Sequence, residues 1–297
     1  MSKYIGEIML FTTAIIWGSG FAFSAISLDY FTPYQILAIR FSVGVLILSI
    51  IFYNRLKHIK KSTIKRGFIL GFLLYLAFLL QTVGLQYTTP SKNAFITAIN
   101  VVIVPFIAFF MDKRKVDKFE LSGAFLAIIG IGFLSLQLSV ADINVGDLLT
   151  LGCAFGFAYQ IYYTAKYVKD EDPILLTIVQ MGAAALFAWL FVLAKGEVDF
   201  SLEWKGVLST LYLGIFSTTL AYCFQTMAQK FTSETKTAII LSTEALWGMV
   251  FSVIILSEVL TGRMIIGAAL ILTAIILAET KPDFFKGKSL EDIKEIK

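Results

Sequence analysis

Residues 67–87 read GFILGFLLYLAFLLQTVGLQY and contain no charged side chain. At 1.5 Å per residue, a helix of about 20 such residues crosses the hydrocarbon core of a bilayer. The whole chain has this character: 58% of its 297 residues are hydrophobic, 15% are charged, and the mean hydropathy is +0.80. A soluble domain could not hide so much apolar surface from water. The stretch therefore predicts a transmembrane helix in an integral membrane protein.

Similar apolar segments recur along the chain with short connections between them. We predict an all-α integral membrane protein with ten transmembrane helices. The charged segment 281–297 is predicted to be a cytoplasmic tail that lies on the membrane surface or in water. The predicted helices are 5–27, 34–53, 67–87, 93–111, 119–138, 146–165, 173–193, 206–228, 236–256 and 262–279.

Lysine and arginine set the predicted orientation, because basic residues accumulate in cytoplasmic loops. With a cytoplasmic N-terminus, 20 of the 25 lie on the inner side, 4 lie outside, and Arg40 lies within a helix. Both termini are therefore predicted to be cytoplasmic, in a multi-pass protein of the plasma or prokaryotic inner membrane. The net charge of +4 is then a consequence of topology and does not indicate a nucleic-acid partner.

Few residues are suited to cofactor or metal chemistry. Cys153 and Cys223 lie in apolar segments and are predicted to be small buried hydrophobic residues, and His58 is the only histidine. Nucleotide-binding and nucleophile-elbow motifs are absent from the sequence. We predict no metal, no cofactor and no enzymatic activity, since a membrane-embedded enzyme would need clustered catalytic groups and only isolated ones occur.

The two halves of the chain resemble each other. A shift of 140 residues aligns Pro33 with Pro173 and Arg40 with Gln180. After a four-residue insertion, a shift of 144 aligns Gln81-Thr82 with Gln225-Thr226 and Asn100 with Glu244. Each half, 1–140 and 141–280, holds five predicted helices, so the second copy must insert upside down. Inverted repeats are a recurrent plan of secondary transporters, which place the substrate site between the repeats.

Several local sequences resemble a known family. They are similar to the drug/metabolite transporter superfamily, and specifically to its EamA-like ten-helix exporters. This resemblance implies a five-plus-five helical fold and export of amino acids, other metabolites or drugs. Ala245 departs from the family pattern, where proline often follows the glutamate, and Asp112 begins a basic turn where an acidic one is usual. The similar segments are Trp17-Gly18-Ser19, Arg40-Phe41, Thr243-Glu244-Ala245 and Ser257-Glu258-Val259-Leu260-Thr261, which leads into Gly267-Ala268-Ala269-Leu270-Ile271.

Two charged residues within predicted helices are the main candidates for the substrate site. A guanidinium binds carboxylates in a fork, so Arg40 is a candidate clamp for a substrate carboxylate. A structural pair or an outward-snorkelling side chain is the alternative for Arg40. Glu244 lies near the middle of its helix and is a candidate for substrate binding and proton coupling, or for a structural hydrogen bond. Whether the two residues meet is left open.

Polar amides and aromatic side chains complete the predicted site. Amides at equivalent depths suit a central cavity, although they also suit contacts between helices. Aromatic residues suit an amphipathic wall around a small ligand, and the alternative for each is packing or an interface belt. The further candidates are Gln81, Asn100, Gln180, Gln225, Trp17, Tyr75, Tyr159, Tyr163 and Trp247.

These features predict a secondary transporter that exports small metabolites, such as amino acids or related amphipathic solutes, by alternating access. The expected partners are a small-molecule substrate, protons as one possible drive, and membrane lipids, with anionic lipids near the basic loop 54–66. Substrate exchange and the substrate's own gradient are the other energy sources considered for transport. The sequence does not decide whether the protein forms a homodimer. The rival functions are an uptake permease of the same fold, a channel, a non-transporting scaffold and a membrane-embedded enzyme.

Overall fold

The computed structural model describes residues 3–113, 115, 118–135, 144–232, 237 and 240–280. All regular secondary structure within these residues is helical, as the sequence predicts. Six helices in this part of the chain are long and apolar enough to cross a membrane, and three shorter apolar helices accompany them. The protein is therefore an all-α membrane protein. The predicted tail 281–297 lies outside the described residues.

The helices follow one another with short turns, and one π-helix, Leu213–Leu220, separates α10 from α11. The α-helices are α1 Lys3–Leu28, α2 Pro33–Ile51, α3 Tyr53–Leu56, α4 Lys61–Leu85, α5 Pro90–Thr97, α6 Asn100–Asp112, α7 Lys118–Ser135, α8 Val145–Tyr167, α9 Pro173–Lys195, α10 Trp204–Tyr212, α11 Ala221–Gln229, α12 Glu244–Leu256 and α13 Gly262–Thr280.

Each predicted transmembrane segment overlaps at least one of these helices. The six long apolar spans are α1, α2, α4, α9, the pair α5–α6 and the continuous run Trp204–Gln229. Helix α8 is 23 residues long, but it carries polar residues that are buried inside the protein, including Asp147, Thr150 and Gln160. Parts of the predicted segments 119–138 and 236–256 lie outside the described residues.

Proline and capping side chains begin several helices. Thr32 and Gln35 form a reciprocal capping box ahead of α2, and Pro33 occupies its first turn. At the equivalent start of α9, Asp172 accepts hydrogen bonds from the backbone N–H groups of Ile174 and Leu175. These local signals set where α2 and α9 begin and so fix their depth.

Two equivalent helices are interrupted within their apolar spans. Helices α5 and α6 are separated by a tight turn at Ala98 and Ile99, so Asn100 is the first residue of α6. Helix α12 begins at Glu244, directly after a turn at Thr243. The turn precedes Glu244 even though Ala245 replaces the proline of the family pattern. Both interruptions place a polar residue at the beginning of a half-helix inside the protein.

The packing of the helices repeats along the chain. Helix α4 packs against α8, and their equivalents under the repeat shift, α11 and α1, also pack together. The contact between α6 and α8 likewise has an equivalent between α12 and α1. Helix α2 packs against its own equivalent α9, and α7 against α13. Contacts between the two halves therefore occur in matched pairs.

The turns gather at two ends of the bundle. We call them the Pro33 end (29–32, 86–89, 196–203 and 257–261) and the Pro173 end (52–60, 168–172 and 230–232). At the Pro33 end, Gln35 Nε2 donates to the carbonyls of Glu197 and Asp199 at 2.9 and 2.7 Å. At the Pro173 end, Arg66 pairs with Asp170 and Glu171 at 3.1 and 2.9 Å. Each end is therefore tied together by polar contacts between different turns.

Glycine allows close helix contact at Gly71, where α4 meets α9. A Cβ atom at this position would lie 2.5 Å from the Gln180 carbonyl oxygen and 2.6 Å from Ala183 Cβ. We expect Gly71→Ala to destabilise the protein by about 1–3 kcal/mol, because the backbone must move to accept it. The measurement is thermal unfolding in detergent. Gly152→Ala is the matched control, since its Cβ would meet only the mobile end of Leu80 at 3.3 Å; equal losses would contradict the prediction.

Glu171 provides a pH-dependent contact at the Pro173 end. Burial alone would raise the pKa of the Glu171 carboxyl group. The hydrogen bond from Thr63 and the positive charge of Arg66 lower it by more than this, so the pKa lies below its usual value of 4.5. A carboxylate with a lowered pKa stabilises the folded state fully at neutral pH, and this stabilisation is lost as the pH falls through the folded-state pKa.

We therefore expect Glu171→Gln to lower the free energy of unfolding at pH 7 by about 1–3 kcal/mol, the range for hydrogen bonds to charged groups. The difference from wild type should shrink as the pH falls below about 4.5, because Glu171 then takes up a proton in the unfolded chain before it does so in the folded protein. Unfolding curves at several pH values test this, and a difference that stays constant down to pH 3 would contradict it.

Candidate functional site

A cavity lies where the halves of the chain meet. Its wall is built from helices of both halves and includes the interruption between α5 and α6 and the start of α12. The lining residues are Trp17, Gly20, Phe21, Ser24, Arg40, Phe78, Gln81, Thr97, Asn100, Phe157, Gln160, Ile161, Ser217, Tyr222, Gln225 and Glu244.

Most of this lining consists of equivalent positions from the two halves. Twelve of the sixteen residues form six pairs under the 140- and 144-residue shifts. The cavity is therefore approximately symmetric in position while its chemistry differs between the halves. The pairs are Trp17 with Phe157, Gly20 with Gln160, Phe21 with Ile161, Phe78 with Tyr222, Gln81 with Gln225, and Asn100 with Glu244.

Arg40 carries a positive charge into this cavity. Its side chain is 2% exposed, and its Nε donates to Thr218 Oγ1 at 2.8 Å and its Nη2 to Ser217 Oγ at 3.3 Å. The guanidinium carbon lies 4.1 Å from the centroid of the Phe78 ring, a cation–π contact. Arg40 forms no ion pair with a carboxylate of the described residues. Its neutral partners hold the guanidinium in place and leave its charge available to an anionic ligand.

The π-helix places the two hydroxyls that hold Arg40. Thr219 Oγ1 donates to the carbonyl of Gly214, five residues earlier, and Trp17 Nε1 donates to the carbonyl of Ser217 at 2.9 Å. The wider π turn lets the consecutive residues Ser217 and Thr218 both reach the guanidinium. Single π turns inside α-helices occur frequently at functional sites. This segment therefore links Arg40 and Trp17 across the cavity wall.

Glu244 supplies the acidic side chain of the cavity. It is 5% exposed and is the first residue of α12, where the helix dipole favours a carboxylate. No hydrogen bond or ion pair joins its carboxylate to another described residue. The Oδ1 atom of Asn100, its repeat equivalent, is buried and also lacks a hydrogen-bond partner in the described part of the chain. The cavity thus has a donor side at Arg40 and an acceptor side at Glu244 and Asn100, and the two charges are not paired.

Comparison with known proteins agrees with these features. The family model of the EamA-like transporter family matches residues 4–136 and 144–280. The chain belongs to this family. It is a transporter-family protein of the drug/metabolite transporter superfamily, with a multi-pass membrane architecture.

Relatives of this EamA-like protein span nearly its whole length. An "Uncharacterized transporter" of Archaeoglobus fulgidus is 33% identical over 285 residues, which cover 95% of this chain and 88% of the relative. The "Uncharacterized transporter YyaM" of Bacillus subtilis is 26% identical and matches 91% and 92% of the two chains. A solved structure titled "Crystal structure of protein" superposes with a TM-score of 0.70 at 15% identity, covering 96% and 100% of the two chains, and so supports the fold.

The structure brings six of the eleven predicted site residues to the cavity of this EamA-like protein. They are Arg40, Glu244, Trp17, Gln81, Asn100 and Gln225. Gln180 lies behind the cavity lining, where its Oε1 accepts a hydrogen bond from the lining residue Gln160 at 3.2 Å.

The four other predicted aromatic residues lie away from the cavity. Tyr75 packs against Phe187 and Phe191. Tyr159 is 38% exposed and stacks on Tyr163, and Trp247 packs against Phe11. In this conformation these four contribute to packing.

The cavity also contains residues that sequence reasoning did not select. The repeat shift could have found Phe157, which is equivalent to Trp17. Helical spacing could have found Tyr222, which lies one turn from Gln225. Gln160, an amide in the middle of α8, is the equivalent of Gly20. Phe78 and Thr97 likewise lie one turn from Gln81 and Asn100, whereas Ser217 carries no comparable sequence signal. The full set not predicted is Gly20, Phe21, Ser24, Phe78, Thr97, Phe157, Gln160, Ile161, Ser217 and Tyr222.

The environment of Arg40 distinguishes a ligand-binding residue from a structural ion pair. Removing one partner of a buried ion pair costs about 3–5 kcal/mol, because the other charge stays buried. Since Arg40 has only neutral partners, we expect Arg40→Met to change the free energy of unfolding by less than about 1.5 kcal/mol, the usual limit for swaps that conserve volume. Thermal unfolding in detergent measures this. A loss comparable to that of a broken buried ion pair would assign Arg40 a structural role.

Proposed function

We propose that this EamA-like protein is a secondary transporter that exports small amphipathic metabolites by alternating access. The observation that carries the proposal is the central cavity, which is lined by matched positions from both halves and contains two unpaired opposite charges. A site at the interface of inverted repeats can open to either side when the halves exchange conformations.

The proposed architecture has ten transmembrane helices in two inverted five-helix repeats, 1–140 and 141–280, followed by the tail 281–297. Both termini are cytoplasmic in this arrangement. The lysine and arginine distribution supports it, because the positively charged turns gather at the Pro173 end, which is then the cytoplasmic end. The paired helix contacts between the halves support the same arrangement.

The chemistry of the cavity supports an amphipathic solute with an anionic group and a hydrogen-bond donor. Arg40 would bind the anionic group, as guanidinium groups do with carboxylates. Glu244 and Asn100 would accept hydrogen bonds from an ammonium or similar donor, and the rings of Trp17 and Phe78 would cover the apolar part. Amino acids and related metabolites combine these features within a small volume.

Glu244 is the proposed coupling residue. An ionisable side chain within a membrane-spanning bundle is commonly part of a proton or substrate pathway. Glu244 faces the cavity and has no partner among the described residues, so it could exchange a proton with whichever side the cavity faces. Export would then be driven by the proton gradient, while substrate exchange and the substrate's own gradient are the alternatives for the drive.

An uptake permease is the rival within the same fold. A carrier is reversible, so the geometry of the cavity serves either direction and the sidedness of net flux must be measured. A scaffold without transport activity has no need for two unpaired charges in a common cavity, and this disfavours it.

The first experiment is export from bacterial cells that express the protein. We expect specific solutes to accumulate in the medium with wild type, and the Arg40→Ala/Glu244→Gln double variant to reduce their release at least about tenfold, equivalent to 1.4 kcal/mol at the site. The matched control is Arg55→Ala/Glu258→Gln, which makes the same charge changes at residues outside the cavity and should retain most of the release.

Purified protein in proteoliposomes then tests the mechanism with the solute so identified. Saturable counterflow is expected of a carrier, and it excludes a simple channel. If wild-type protein moved no solute in either direction under any imposed gradient, the transporter proposal would be wrong. Equal transport by wild type and the cavity variant would keep transport but remove Arg40 and Glu244 from the route.

A further inference from the structure

Residues of α1 and α4 line both the cavity and an open depression at the Pro33 end, which indicates a path between these two helices. Gly20 and Ser24 line the cavity on α1, and Leu28, one turn further on, lines an open depression at that end. Val83 of α4 and Gln86, which directly follows this helix, line the same depression. Successive turns of α1 therefore face first the cavity and then the exterior.

The repeat shift carries this path onto α8 and α11 in the other half of the molecule. Ser24 becomes Thr164, Gln81 becomes Gln225, and Leu85 becomes Gln229. Because the second repeat is inverted in the proposed architecture, the equivalent path leads from the cavity to the Pro173 end. Both halves thus contain the same route at opposite sides of the cavity.

The route at the Pro173 end is closed by polar side chains that we call the glutamine ladder (Gln160, Thr164, Gln180, Gln225 and Gln229). All five are buried. Gln160 Nε2 donates to Thr164 Oγ1 at 3.0 Å and to Gln180 Oε1 at 3.2 Å. Gln225 Nε2 reaches Gln160 Oε1 at 3.5 Å, and Gln229 Nε2 reaches the Ile161 carbonyl at 3.4 Å. The contacts that join α11 to α8 are therefore the long ones.

The ladder does not satisfy its own polar groups. Gln180 Nε2, Gln225 Oε1 and Gln229 Oε1 are buried and have no hydrogen-bond partner among the described residues. Buried polar groups are normally paired, and leaving them unpaired is unfavourable. Amides that serve only to hold helices together would be expected to pair fully. The unpaired atoms point instead to a second conformation in which the same groups meet water or solute.

We infer that the gap between α8 and α11 is the second half of the permeation route, closed in this conformation by the glutamine ladder. The inference rests on the proposed transport function and adds the path by which solute reaches the Pro173 end. When the carrier switches, α11 separates from α8 and the ladder becomes hydrated. The equivalent gap between α1 and α4 closes at the same time, and there Leu85 takes the place of Gln229.

Cysteine labelling tests the route without a known substrate. The background is Cys153→Ala/Cys223→Ala, which removes both native cysteines. Ser24→Cys reports on the Pro33 route and Thr164→Cys on the Pro173 route. The probe is a membrane-impermeant sulfonated maleimide, applied to right-side-out and to inside-out membrane vesicles. Thr13→Cys is the buried control, since Thr13 Oγ1 lies 3.3 Å from the Ala221 carbonyl in the α1–α11 contact, which is not predicted to open.

Substitutions at Gln229 should change the labelling of the two reporter cysteines in opposite directions. Gln229→Glu places a charge in the closed gap, so Thr164→Cys labelling in inside-out vesicles should rise at least about tenfold and Ser24→Cys labelling in right-side-out vesicles should fall. Gln229→Leu, which installs the residue of its equivalent position, should have the opposite effects by about threefold. Thr13→Cys should stay unreactive throughout, and an unchanged elution volume in size-exclusion chromatography establishes that each variant is folded.

The outcomes separate this inference from the transport proposal. Reciprocal labelling supports the route, even if the same variants move no solute and the transport proposal fails. Solute flux without any Thr164→Cys labelling, in folded Gln229→Glu as well as in the unaltered background, would overturn the route and leave transport standing. The proposed route would also be overturned if the labelling of Thr164→Cys stayed the same with both Gln229 substitutions.

Discussion

A positive charge buried inside a membrane-spanning bundle is the constraint on which the rest of this structure depends. Among the described residues, Arg40 has only two hydroxyls and the rings of Phe41 and Phe78 as partners, so its charge is held in place without being neutralised. In surroundings of low dielectric, such a charge interacts strongly with an anionic ligand. The π-helix, the Trp17 indole and the Phe78 ring all serve to orient this group. Several buried polar side chains of an otherwise apolar chain are therefore gathered around one cavity.

The repeats supply the frame of the cavity, and the differences between them supply its chemistry. Arg40 has a neutral amide as its equivalent, Gln180, and Glu244 has Asn100. The basic residue thus comes from the first half and the acidic residue from the second, and the equivalent position of each in the other half is a neutral amide. A strictly symmetric cavity would contain like charges in pairs, which would repel each other. Divergence between the halves creates a cavity with distinct donor and acceptor sides while the packing of the helices stays equivalent.

The class of protein and the positions of its helices could be predicted from the sequence because lipid imposes length and hydrophobicity on every span. The site was harder to predict, because helices that are apolar all round do not reveal which face turns inward. Arg40, Glu244 and Gln81 could be selected as candidates because polar groups avoid lipid, and all three line the cavity. The candidates Tyr75 and Tyr159 lie away from it in this conformation, because aromatic rings pack equally well against lipid, protein or ligand. The turn before Asn100 was not predictable either, because Ala98 and Ile99 include no proline or glycine to mark it.

Alternating access requires two conformations of similar free energy, and the structure offers a physical reason for such a balance. Closing one side brings helices together through contacts equivalent to those that open on the other, so much of the packing energy cancels. The remaining difference comes from unlike residues, such as Leu85 and Gln229, and from ion pairs at the Pro173 end, such as Arg66 with Glu171. A ligand that joins the donor and acceptor sides of the cavity would compensate both buried charges at once. Because the loaded cavity carries less uncompensated charge than the empty one, solute binding can itself lower the barrier between the two conformations.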